Sequence, residues 1–121
     1  MIFGKLFELV DAFKNHDEFK KYEIVLINPQ PVPKPNRIML GLTSFEAPKQ
    51  TWGQLRKSGI LSIVVSKQLL ENGQEYDAVV SQILELLNGK FDIVELTDLD
   101  FLSIPASKLI FIYLGFKVEW V

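Results

Sequence analysis

Phe3, Leu6, Phe7, Val10 and Phe13 recur at spacings of three and four residues, with Lys5, Glu8, Asp11 and Lys14 between them. An α-helix brings such positions onto one face, so the spacing predicts an amphipathic helix over residues 2–16. "YEIVLI" (22–27) is a short run with β-branched residues and reads as a buried strand. "NPQPVPKPN" (28–36) cannot continue it, because its four prolines fix their own φ and lack a backbone donor. An extended loop is expected there. "RIMLGLTSFE" (37–46) resumes as a strand with Ile38, Leu40 and Leu42 on one face, and "APKQTWGQL" (47–55) reads as a long hairpin loop holding Pro48 and Gly53. In "RKSGILSIVVSKQ" (56–68), Leu61, Ile63 and Val65 share one strand face, and Ser62, Val64 and Ser66 the other. The first face is dry; the second is small and mixed.

The best-marked element follows. Tyr76, Val79, Val80, Ile83, Leu84 and Leu87 make an apolar stripe at helical spacing. Asn72 is placed to cap that helix with Glu75 three residues on, in the pattern of a capping box. Asn88-Gly89 marks its end, with Gly89 expected in the left-handed conformation. The helix is predicted over 73–88. "KFDIVEL" (90–96) reads as a short strand and "TDLDFLSIPAS" as a loop or irregular edge. "KLIFIYLGFKVEWV" (108–121) is the last strand, with Phe116, Val118 and Trp120 alternating with Gly115, Lys117 and Glu119. The order is α-β-β-β-α-β-β. With hairpins and a single candidate crossover helix, the class is α+β: one domain (1–121) with a mostly antiparallel sheet of about five strands and two helices packed on it.

Composition narrows the chemistry. The 121 residues suit one domain with a real core, and 48% apolar with 23% charged residues is ordinary for a globular chain. There is no cysteine, which removes disulfides, thiolate metal sites and a thiol nucleophile. A net charge of -2 with scattered Lys and Arg lacks the basic footprint of a nucleic-acid binder. Charges interrupt the first helix as they would not in a signal peptide, and no apolar run approaches the ~18 residues of a membrane span. A soluble protein made in a cytosol is expected.

Each candidate site has a plainer reading beside it. The strand-loop-helix joint around "KQLLENGQEYD" has one glycine, where a phosphate cradle uses several, and Glu71, Glu75 and Asp77 would repel an anion there. His16, the only histidine, stands beside Asp17; the pair can orient a general base or simply complement a helix C-terminus. Asp92, Glu95, Asp98 and Asp100 lack the glycine-bearing pattern of a calcium loop and read as a solvated acidic edge that discourages stray strand pairing. "PVPKP" has the form of a ligand for a proline-binding groove, a form common in plain loops. Trp52, with Lys49, Arg56 and Lys57 near it, is either folded back on the core or offered to a partner.

The layout as a whole resembles the tail-terminator proteins of long-tailed phages and prophages. The likeness is carried by Gly59, Leu61, Ile63 and Val65 in "GILSIVV", the single-glycine loop "ENGQ", and Ala78, Ile83, Leu87 and Phe91 in "YDAVVSQILELLNGKF". The final strand ending "GFKVEW" completes it. The resemblance implies a hexameric ring that caps the tail tube, stops its polymerisation and joins it to the head, with no catalysis and no cofactor. Its implied partners are further copies of itself, the major tail protein and a head-completion protein, met in the host cytoplasm and at the tail–head junction. On this expectation Pro48, Lys49, Gln50, Thr51, Trp52, Arg56 and Lys57 contact a neighbouring subunit or the tail tube. Two other readings stand beside it: a head-completion or neck protein of the same virion, and a small enzyme or ligand-binding domain using His16 and the acidic cluster.

Overall fold

The computed structural model describes the backbone of residues 2–26, 34–51, 54–68 and 74–120, and the side chains of 4–26, 34–42, 58–68 and 76–120. Helix α1 (Ile2–Asn15) leads through a 3-10 turn (Asp17–Phe19) to strands β1 (Glu23–Leu26), β2 (Arg37–Thr51) and β3 (Gln54–Gln68). Helix α2 (Gln74–Asn88), β4 (Ile93–Ile104), a second 3-10 turn (Pro105–Ser107) and β5 (Leu109–Trp120) follow. The described strands form one sheet in the order β1-β2-β3-β5-β4, antiparallel except that β1 runs parallel to β2. The fold is α+β, with the element order the sequence predicts.

Strand alternation decides where the core sits. Ile38, Leu40 and Leu42 pair with Val65, Ile63 and Leu61, which pair in turn with Ile112, Leu114 and Phe116. Each row therefore presents apolar side chains to one face, as a period of two requires. That face takes both helices: Leu6, Leu9 and Phe13 of α1, and Tyr76, Val79, Ile83 and Leu87 of α2, share one buried cluster with these strand residues. The other face carries a smaller cluster of Met39, Leu109 and Phe111 flanked by Val25, Val64 and Ile104, with no described helix residue in it. Among the described residues the sheet is thus covered by helices on one side only.

The structure departs from the sequence reading in several places. α1 turns Leu6, Leu9 and Phe13 inward and leaves Phe7 56% exposed. Spacings of three then four also connect those three residues, and packing selects that stripe over the one through Phe7. The segment predicted as a long hairpin loop is strand instead: β2 and β3 stay paired out to Thr51↔Gln54. Pro48 is tolerated because the register shifts between Glu46 and Lys49, where the ladder is already broken. "TDLDFLSI" likewise continues β4 to Ile104, with an irregularity between Leu96 and Asp98. Gly89 does not enter the left-handed region. The last turn of α2 tightens, with Gly89 and Lys90 donating to the carbonyls of Leu86 and Leu87 at 3.2 and 2.9 Å. Lys108 is left-handed (φ 55°) and closes the turn into β5. The expected cap at Asn72 and Glu75 lies outside the described side chains.

Candidate interaction surface

His16 serves the fold. It caps the 3-10 turn, its Nδ1 accepting the Glu18 N–H at 3.2 Å, while its ring stacks at 4.8 Å on the fully buried Phe19. That contact points a backbone donor at the Nδ1 lone pair. Asp17 is turned to Lys20 instead, at 3.0 Å. The Lys20 hydrogen bond, then its charge, holds the Asp17 carboxyl below the usual carboxylate range. The ring also borders a groove between α1 and α2 of about 460 Å³, lined by Glu8, Asp11, Asn15 and Lys90 among others. Its charged and polar residues are of mixed sign, with Ala12 and Leu86 between them, and they do not converge on one point as the polar groups of a small-molecule site do.

The acidic residues do not converge on His16. α1 packs against β1 and β2, whereas Glu95, Asp98 and Asp100 lie on β4, at the far edge of the sheet. Asp98 and Asp100 pair with Gly115 and Tyr113 on the uncovered face. No group of three or more His, Cys, Asp and Glu among the described residues is placed to hold a metal ion.

One polar pair escaped the sequence reading. Lys67 is only 8% exposed, and its ammonium donates to the Tyr22 hydroxyl at 2.7 Å. At 5.4 Å from the ring centre the ammonium lies out beyond the hydroxyl, so the contact is a hydrogen bond rather than a cation over the ring face. The cleft beside the pair, bordered by Glu18, Lys21 and Gln82, measures about 170 Å³, below the roughly 300–1,000 Å³ of ordinary ligand sites. The signal that could have found Lys67 is strand alternation, since it shares the face of Val65. Nothing in the sequence pointed to Tyr22 as its partner. A second polar knot, at the β1 edge, joins the Glu23 carboxylate to Lys34 at 3.0 Å and Arg37 at 3.3 Å. The Lys34 hydrogen bond, followed by the Arg37 charge, lowers the Glu23 pKa.

The remaining features are surfaces. β1 pairs with β2 only as far as Leu40, and β5 with β3 only as far as Lys57. The last pairs of the β2–β3 ribbon, Lys49↔Arg56, Gln50↔Leu55 and Thr51↔Gln54, therefore have no described third strand on either side. Pro48, Lys49, Gln50, Thr51, Arg56 and Lys57 all belong to this ribbon, while Trp52 at its turn and the proline segment 28–33 lie outside the described residues. At the opposite end of the sheet, β4 is an edge strand of 12 residues with no buried position. Among the described residues no helix is long and apolar enough to cross a membrane.

The chain matches no protein-family model, and no curated protein matches it.

Proposed function

We propose that this chain is a structural subunit of a long-tailed phage or prophage virion. In this reading it assembles as a hexameric ring that caps the tail tube, ends its polymerisation and joins tail to head. It works without chemistry of its own, in the host cytoplasm during assembly and then at the tail–head junction, against the major tail protein and a head-completion protein. The resemblance in element order supports the reading. The observation that carries it is the β2–β3 ribbon, whose paired backbone runs past both flanking strands. A two-stranded arm buries little of its own surface and is marginal alone, so it gains most by lying against something else. Pro48 to Trp52, Arg56 and Lys57 are the residues assigned to that contact.

Light scattering tests this directly. The expected mass is a small closed multiple of 13.9 kDa, and the purified ring is expected to halt growth of tail tubes in an assembly mixture. Trp52→Ala should lower the assembled fraction at least several-fold in sedimentation, with an unchanged far-ultraviolet spectrum. A chain that stays monomeric at every concentration overturns the ring, and an unaltered Trp52→Ala oligomer removes the ribbon from it.

A further inference from the structure

We infer that the β4 edge is the surface through which one copy of this chain receives the β2–β3 ribbon of the next. β5 and β4 present neighbouring apolar side chains to the helix-covered face, but among the described residues only Val94 of β4 packs against the helix-side core. Phe116, Leu114 and Ile112 of β5 are 0, 3 and 0% exposed, while Leu96, Leu99 and Phe101, opposite them on β4, are 37, 47 and 49% exposed. Leu102, on the other face, is 49% exposed as well. A 12-residue edge strand with large apolar side chains in water and no described strand on its outer side is a template for another strand, although one of its amides, Phe101 N–H, already donates to the Asp100 carboxylate at 2.9 Å. Solvated proteins blunt such edges with charged side chains, bulges, proline or a short strand. β4 is long and has neither Lys nor Pro; its three carboxylates and the irregularity between Leu96 and Asp98 discourage a like edge and favour a basic one.

Charge identifies the occupant. β4 has three carboxylates, Glu95, Asp98 and Asp100, and no basic residue. Two β4 edges side by side would set these against each other, so a symmetric pairing of like edges is disfavoured. The ribbon between Gly41 and Lys57 has the opposite balance: Lys49, Arg56 and Lys57 against Glu46. Its β2 flank also has no described strand beside it beyond Leu40. The same chain thus holds an acidic acceptor edge at one end of its sheet and a basic, unaccompanied ribbon toward the other. Contacts between unlike patches are head-to-tail, and they close into rings when the rotation allows. A shallow hollow of about 200 Å³ beside Asp98, Asp100 and Tyr113, formed where Gly115 has no side chain, extends the acceptor surface onto the uncovered face. The contact deepens the ring proposal and rests on it.

Charge exchange in the full chain tests the pairing. Asp98→Lys/Asp100→Lys, basic on both surfaces, and Lys49→Glu/Arg56→Glu, acidic on both, should each sediment as the 13.9 kDa monomer while remaining folded by circular dichroism. Mixed in equal amounts they should re-form assemblies containing both. In the wild type, hydrogen exchange at the β4 amides should slow at least tenfold as concentration rises through assembly. This second readout needs no variant to fold. Wild-type-sized assemblies from either variant alone, a mixture that stays monomeric, or β4 exchange independent of concentration overturns the β4 contact and leaves the ring standing. A monomeric wild type overturns both.

Discussion

Phe19 is fully buried and its ring stands 5.1 Å from Phe13 and 6.1 Å from Tyr22, tying α1 and the 3-10 turn to the β1 edge. Lys67 ends that chain of contacts through the Tyr22 hydroxyl. A buried ammonium that loses its acceptor keeps its desolvation cost, so Tyr22→Phe is expected to destabilise by about 1–3 kcal/mol in urea unfolding. Lys67→Met added to Tyr22→Phe should recover most of that loss, because neither polar group is then left unsatisfied. Additive losses in the double variant would show that the two side chains act separately. At Glu23 the folded carboxyl titrates lower than the unfolded one. Its contribution is therefore complete above the usual carboxylate range and lost as the pH falls through the lowered value. Glu23→Gln should flatten the acid side of the melting-temperature profile, slightly, because the group is exposed to solvent. Parallel acid limbs in both proteins would refute this.

At the scale of elements, the β4–β5 hairpin shows how one glycine shapes an edge. The irregularity at Thr97 brings the Thr97 hydroxyl onto the Gly115 carbonyl at 3.1 Å and lays Asp98 over Gly115. A Cβ at Gly115 would stand 3.1 Å from Asp98 Oδ2 and 3.2 Å from its Cβ. Because the nearer carbon is fixed to the β4 backbone, Gly115→Ala is expected to cost about 1–3 kcal/mol, as modest overpacking does. Hydrogen exchange should place the loosening in β4 and not in β2; uniform exchange across the sheet would contradict it. The hydrophobic stripe of α1 teaches the same lesson from the other side. Phe7 and Leu9 compete for the inward face, and the sheet beneath decides for Leu9.

The whole molecule is a sheet with helices on one face and unfinished ends. Its core lies around the centre of the sheet, where β3 and β5 run beside each other under the helices. Beyond Val94 the side chains of β4 receive little such cover, so the free energy of this edge depends on what lies against it. That is why the predictions at this scale concern assembly: the mass of the wild type, the response to Trp52→Ala, and the re-association of two charge-exchanged variants. Long edge strands without cover put a protein at risk of open-ended association. A contact between unlike patches contains that risk only when it closes on itself.

The class, element order, α2 and the inward faces of β2, β3 and β5 were legible in the sequence, because period-two and period-3.6 patterns report directly on which side of an element is dry. Leu61, Ile63 and Val65 fell on the dry face, as their alternation indicated. Segments with mixed patterns were not legible. "APKQTWGQL" carries Pro and Gly and "TDLDFLSI" alternates charge with leucine, so local propensity favoured loops in both. Each became strand through pairing with a partner distant in sequence, for example Phe101 with Ile112 across the β4–β5 ladder. Candidate surfaces shared this division: the residues of the ribbon were readable as a basic cluster, but their place on an unaccompanied pair of strands was not. Sequence alone determined what could be buried. Tertiary structure decided what was left uncovered, because exposure depends on how far the helices reach over the sheet, and no local pattern contains that distance.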